Sequence, residues 1–448
     1  MSARRVIVIG GGVAGLSTAL YVRKLAPEAE VTVLESQPRA GGNVRTLSLD
    51  GCTVDVGPDA IVTRPETGVA LCRDVGLGDE LIAPAEGARG ILVAKGDRLV
   101  PMPAGMAYGV PRSFAQLATT ELLSWRGKLR AGLDLLIPAE ADETLSAGAL
   151  VERRLGREAK DALVEPLVGG IYAGDIDRLD PKVAIPMFAE IRGSWIRALA
   201  KAPRPSGESP FRAPKGGMIR LVEALLDSLG DRVRLASHVE QLELRGQTVR
   251  VHRAGGAPLE ADHVVLAVPP RAAAFALAPS SSAVADRLRA LRTTSSATVV
   301  LAFARDAVAW PKASGLLVPR RAGGTIVAAT FIAEKWPVRV REGLMVLRAF
   351  VGGDRSPDAL RMSDNALLEA VLAELRRYLP LPEPSWTHLH RFHEATPQPE
   401  IGHARRVTDA RDAVRALGPI HIVGAAYDGP GIAGCARGAL ATAKAIAA

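Results

Sequence analysis

"RRVIVIGGGVAGLSTALYVRKL", Arg4–Leu25, is the stretch that decides the fold. Its apolar run, Val6–Ile9, is too short for a helix and passes directly into three glycines, which reads as a buried strand entering a tight turn. From Val13 onward apolar residues return at helical spacing. A second apolar run, "EVTVLES", follows, and Glu35 stands at its end, twenty residues beyond Gly15. Strand, glycine turn, helix and strand with a terminal acid form the dinucleotide-binding pattern. Gly10 permits the tight turn, Gly12 lets backbone approach a pyrophosphate, and Gly15 packs helix on strand. Gly11, Val13 and Ala14 complete the turn, whose helix N-terminus receives the phosphate charge. Glu35, with Ser36 beside it, is placed to accept hydrogen bonds from ribose hydroxyls.

The rest of the chain sets limits around that pattern. A length of 448 residues suits two or three domains, and 48% hydrophobic with 23% charged residues gives a large core and excludes disorder. Cys52, Cys72 and Cys435 form no CxxC pair and no even framework, which points to a reducing compartment, the cytoplasm. The N-terminal apolar run is a strand, not a signal peptide, and no stretch reaches the roughly 18 uncharged apolar residues of a spanning helix. Apolar helical faces around Leu117–Ile137 either belong to the core or lie against a bilayer as a peripheral contact. The net charge of +8 comes mostly from arginines spread along the chain, and aromatics are only 4%. That is no nucleic-acid footprint; it suits forked binding of carboxylates or phosphates. His388 and His390 would share one strand face, with His393 nearby, but no complementary Cys or acid spacing makes a metal site.

Further along, "GILVAKGDRLVPMP" (Gly90–Pro103) reads as a hairpin with a Gly-Asp turn, and Ser113–Leu163 as helical. Lys201–Gly217, rich in Pro and Gly, reads as a connection between domains. "LVGGIYAGDIDRL" (Leu167–Leu179) continues neither helix nor strand periodicity and reads as a glycine-rich segment between helices. The chain ends in a strand, "PIHIVGAA", a glycine turn and a helix.

Several motifs together identify a family. "ESQPRAGGNVRT", with Arg39, Gly41 and Gly42, followed by "DVGPDA", resembles the glutathione-reductase-like flavoproteins of the amine oxidase superfamily, as do "HVEQL", "VVLAVPP" and the C-terminal "GAAYDGPGIAGCARGA". The resemblance implies an α/β chain binding FAD in extended form. Its Rossmann-type FAD domain would be discontinuous, over residues 1–75, 205–290 and 410–448. A mixed-sheet substrate domain would span 76–100 and 291–409, and a helical, membrane-associating subdomain 101–204. Gly42, Asn43, Gly57, Pro58, Asp59 and Ala60 would run beside the cofactor, with Val239 at the adenine and Ala267 under it. Ala425, Pro430, Gly431 and Ile432 would touch the flavin at the N-terminus of the last helix.

Within the superfamily, "VEPLVGGIYAGDIDRL", "TFIAEKWP", "LRAFVGG" and "TPQPEIGH" resemble the protoporphyrinogen and coproporphyrinogen III oxidases of heme biosynthesis. That implies three rounds of hydride transfer from a porphyrinogen, with oxygen as acceptor and no side-chain acid or base. Gly170, Ile171 and Ala173 would line the macrocycle slot, with Ile171 and Tyr172 as apolar walls. Arg89 would pair with a propionate and Phe331, or its neighbour Ile332, would stack on a ring. Product handover to ferrochelatase would follow, and monomer and homodimer both stay open. Carotenoid or squalene desaturases and amine oxidases are the rival enzymes, and a flavin-binding scaffold the rival without chemistry. One departure is plain: the family carries an acid before the C-terminal cysteine, where this chain has Gly434 before Cys435.

Overall fold

The computed structural model describes residues 3–88, 90–137, 144–203 and 208–448. The strand Arg5–Ile9 is buried along nearly its whole length and pairs in parallel with Glu30–Leu34 on one side and His263–Leu266 on the other. Val233–Arg234 and Ile420–Ile422 complete a five-stranded sheet, so its strands come from both ends and the middle of the chain. Continuous apolar runs suit parallel strands covered on both faces. The first helix, Val13–Leu25, and the last, Gly431–Ala447, cover one face and pack on each other.

A second sheet has seven strands, ordered Trp386–Pro397, Thr293–Ala304, Leu344–Gly352, Ile326–Phe331, Gly315–Leu317, Ile91–Lys95 and Arg98–Pro101. Alternation divides its faces. On Leu344–Gly352, Met345, Leu347, Ala349 and Val351 join a core that includes Leu367, Val371 and Leu375 of the helix Asp364–Arg376. Leu344 and Val346 point the other way, into a core shared with Val6, Val8 and Leu16 of the first strand and helix. Arg348 shares that second face, and its guanidinium donates to Gly57 O at 3.0 Å. Thr298 Oγ1 donates to Val56 O at 2.9 Å, fixing the sheet against the loop after Asp55.

Helices between Phe114 and Lys201 gather around Phe188, Trp195, Val151 and Leu163. Among the described residues, no helix is long and apolar enough to cross a membrane. Two expectations are corrected here. Leu167–Tyr172 is helical, the last six of the eight residues of a helix over Glu165–Tyr172. Tertiary packing overrides the helix-weakening glycines. Within Lys201–Gly217, part of which lies outside the described residues, Phe211–Pro214 is a strand pairing with Ile61–Val62 and Leu81–Ile82.

Candidate active site

The glycine turn builds a trough. Gly10 has φ 108°, and its amide donates to Leu34 O at 2.8 Å. A methyl on Gly10 would overlap Ala267 O, and one on Gly15 would overlap Gly10 O, so both glycines are imposed by close packing. Gly12 differs: the nearest atom to a methyl there is Gly42 Cα at 3.8 Å, which leaves open space in front of it. Gly41 N donates to Gly11 O at 2.8 Å and brings the second glycine pair alongside. Gly57 closes the far side, where any side chain would overlap Asn43 O. The first helix begins at Val13 and Ala14 with no side-chain cap. Its unsatisfied N–H groups form a ready anion seat, worth about 0.3–2 kcal/mol to a phosphate.

Glu35 ends the trough. The residue is 8% exposed, and its carboxylate accepts from Gly11 N at 2.7 Å, Gln37 N at 2.8 Å and Ser36 Oγ at 3.2 Å. A carboxylate accepts about four hydrogen bonds, so capacity is left for a ribose hydroxyl. Ser237 N donates to Glu35 O at 2.8 Å, which puts the backbone leading to Val239 beside that acid. At the other end, Gly424 and Gly431 have φ 133° and 76°, and the last helix starts after Pro430, at Gly431 and Ile432, again without a side-chain cap. Space in front of Gly12 and two uncapped helix ends, with an acid at one extremity, fit an extended dinucleotide with a flavin at the C-terminal helix.

Ala60 is half-buried, and Pro58 and Asp59 precede it in the loop that the second sheet clamps. Asp59 pairs with Lys335 at 2.8 Å and Arg348 at 3.1 Å, and Trp336 Nε1 donates to it at 3.4 Å. Burial alone would push this carboxyl up; Arg348 and Lys335 overcome it and hold Asp59 well below the usual carboxylate range. The expectation for Asp59 is therefore narrowed: its Oδ2 serves protein cations and the Trp336 indole. Asp55 and Arg339 form a second pair at 2.8 Å, each 1% exposed. Sequence reading missed Lys335, Arg339 and Arg348. Arg348 was visible in principle, as the single charge in the apolar run "LMVLRAFVGG".

The macrocycle cleft expected from the sequence would lie where the helix Glu165–Tyr172 packs on Gly315–Leu317 and Ile326–Phe331; a methyl on Gly170 would come 3.9 Å from Leu317 Cδ2. At its C-terminal end Gly169 O accepts from Gly174 N at 3.2 Å and Tyr172 O from Gln398 Nε2 at 2.8 Å. Ala173 closes the turn at φ 46°, its carbonyl taken by Asp354 N at 2.9 Å. No hydrogen bond from the described residues reaches the carbonyls of Gly170 and Ile171. They carry the negative end of the helix dipole and stand available to N–H donors. Ile171 is 51% exposed and offers an apolar wall.

Three expectations about this cleft change. Tyr172 is not a wall: its ring is buried in the helical core and its hydroxyl donates to Val183 O at 2.9 Å. Phe331 is wholly buried, packed with Ala329, Leu316 and Met345 on the far face of the sheet, so it presents no ring for stacking; Ile332 is buried in the core around the first strand and helix. The aromatic on the near face is Phe350, half-buried, with the Arg348 guanidinium 4.6 Å above its ring. Alternation along the strand is the signal that would have found it. Arg89 lies outside the described residues. Among those described, no three His, Cys, Asp or Glu side chains gather as metal ligands; His388 and His390 simply stack at 6.5 Å.

Comparison with known proteins agrees with this geometry. The chain matches the model for flavin containing amine oxidoreductases over residues 13–447. It is 33% identical to coproporphyrinogen III oxidase of Bacillus subtilis, across 96% of this chain and 95% of the relative. With chloroplastic protoporphyrinogen oxidase of Nicotiana tabacum the identity is 27%, across 98% and 85%. A crystal structure from Exiguobacterium sp. 255-15, whose name refers to protoporphyrinogen oxidase, is 31% identical and superposes with a TM-score of 0.90 over 100% of this chain and 99% of that one. Putrescine oxidase, at 18% identity and a TM-score of 0.74, shares the fold. A glycine trough with an acid at its end, two uncapped helix termini and a match over nearly the whole length have one common account: the chain belongs to the flavin-containing amine oxidoreductases.

Proposed function

We propose that this protein is an FAD-dependent oxidase converting coproporphyrinogen III to coproporphyrin III in heme biosynthesis. The observation that carries the reading is the pair of carbonyls at Gly170 and Ile171 with no hydrogen-bond partner among the described residues, on the helix whose sequence resembles that of the porphyrinogen oxidases. Relatives named coproporphyrinogen III oxidase, at 29–33% identity, favour that substrate over protoporphyrinogen IX. When bound, FAD supplies a hydride acceptor that oxygen restores, with hydrogen peroxide as product. The chain's own residues bind and orient. The carbonyls of Gly170 and Ile171 accept from pyrrole N–H groups, Ile171 and Phe350 bound the ring, and Arg89 takes a propionate. No side chain transfers a proton, so rate enhancement is a matter of alignment. Comparing kcat/KM on one preparation tests the choice of substrate. Coproporphyrinogen III should win by about tenfold, the worth of one charge-assisted contact; equal values would remove the preference.

The three cysteines are all free, which supports a cytoplasmic place. Trp125, Leu129, Leu133 and Leu136 follow helical spacing and are 67%, 65%, 48% and 77% exposed, with Arg126 and Lys128 among them. An apolar stripe with cations suits peripheral contact with an anionic lipid surface. Trp125→Ser with Leu129→Ser should abolish sedimentation with phosphatidylglycerol vesicles and leave turnover unchanged. Retained sedimentation, or a change from dimer to monomer in its place, would rule out the lipid contact.

A further inference from the structure

Between the strand Ile420–Ile422 and the last helix lies a turn whose one acid the proposed chemistry does not use. Asp428 Oδ2 accepts from Gly424 N at 2.8 Å, closing the turn onto its own start. Its other oxygen accepts from Arg411 Nη2, which also donates to Tyr427 O at 3.2 Å. Arg437, from the helix itself, donates to Asp428 O. The Asp428 side chain is 9% exposed and lies in a groove cut by two glycines. A methyl on Gly434 would overlap Gly429 O, and one on Gly438 would overlap the Asp428 carboxylate. That accounts for the departure at position 434: the turn presses against the helix where the family places an acid.

The Asp428 carboxylate thus ties the start of the turn, at Gly424, to Arg411, while the Asp428 carbonyl meets Arg437 of the last helix. We infer that Asp428, held by Arg411, is a positioning residue that aims the N-terminus of the last helix at the flavin. This rests on the flavin-binding part of the reading above and not on the porphyrinogen. A positive helix end stabilises the reduced, anionic flavin, so misaiming it affects both affinity and redox potential.

The test uses holoprotein bearing Asp428→Asn, Gly434→Ala or Arg411→Lys. FAD dissociation is read by fluorescence on dilution, the midpoint potential by spectroelectrochemistry, and folding by thermal melting. Asp428→Asn and Gly434→Ala should each raise the FAD Kd about tenfold or more and lower the flavin potential. Arg411→Lys, which keeps the charge, should fall between these variants and wild type. Folded variants with wild-type Kd and potential would overturn the inference, as would a lower melting temperature with both flavin readouts unmoved. A wild type that holds FAD but ignores porphyrinogens would refute the substrate reading and leave this inference standing.

Discussion

Arg348→Met is expected to cost about 3 kcal/mol of folding stability, toward the low end of what removal of one partner from a buried ion pair costs. Arg348 is 3% exposed on its side chain, 3.1 Å from Asp59, and also donates to Gly57 O. Methionine keeps the stem's volume but leaves Asp59 with Lys335 and Trp336 only, and the carbonyls of Asp55 and Gly57 without the Arg348 donor. Lys335 limits the loss. The pH dependence follows from the sign of the shift at Asp59, which lies below its ordinary value in the folded state. Its contribution is therefore complete above the unfolded value of about 3.9 and is lost as pH falls below that. Denaturant melts should show a constant gap between wild type and variant from about pH 5 to 8, closing below about pH 4. A gap under about 1 kcal/mol at neutral pH, the range of exposed pairs, would mean the clamp is not buried in solution.

The second large effect concerns the cofactor and leaves the fold alone. Gly12→Val places a branched side chain where the nearest protein atom to its Cβ is 3.8 Å away, on a backbone with φ −74° that any residue adopts. The apo-protein should melt as wild type does. The volume filled is the trough in front of the first helix, so FAD affinity should drop by about 100-fold or more, as overpacking and loss of the anion seat combine. Gly15→Val provides the contrast, because its side chain would collide with Gly10 O inside the protein and disrupt folding with or without flavin. A yellow Gly12→Val protein would place the dinucleotide elsewhere.

Much of this was legible in the sequence, for identifiable reasons. The first strand, turn and helix declare themselves through periodicity and packing-imposed glycines, and Glu35 sits where strand length puts it. The helix Glu165–Tyr172 was hidden because Gly169 and Gly170 weaken local propensity, while burial of Val168 and Tyr172 restores it. Phe331 was misread for a different reason. Side chains alternate along a strand, so one residue of alignment slack moves an aromatic from the cleft to the opposite face. Phe350 is found only by carrying the alternation of Leu344–Gly352 through to its end, where it shares the face of Arg348 and not that of Leu347 and Ala349. The clamp at Asp59 joins residues more than 270 positions apart, and no spacing rule connects them. Phe211–Pro214 escaped notice because its flanking prolines and glycines read as a linker, whereas the partners that make it a strand, Ile61–Val62 and Leu81–Ile82, lie far away in sequence.

Anaerobic mixing of the purified holoprotein with coproporphyrinogen III tests the central claim most directly. The account predicts loss of the oxidised-flavin absorbance, then its return on admitting oxygen, with porphyrin fluorescence and hydrogen peroxide appearing together. A protein that bound no flavin, or whose flavin stayed oxidised in contact with the porphyrinogen, would contradict it.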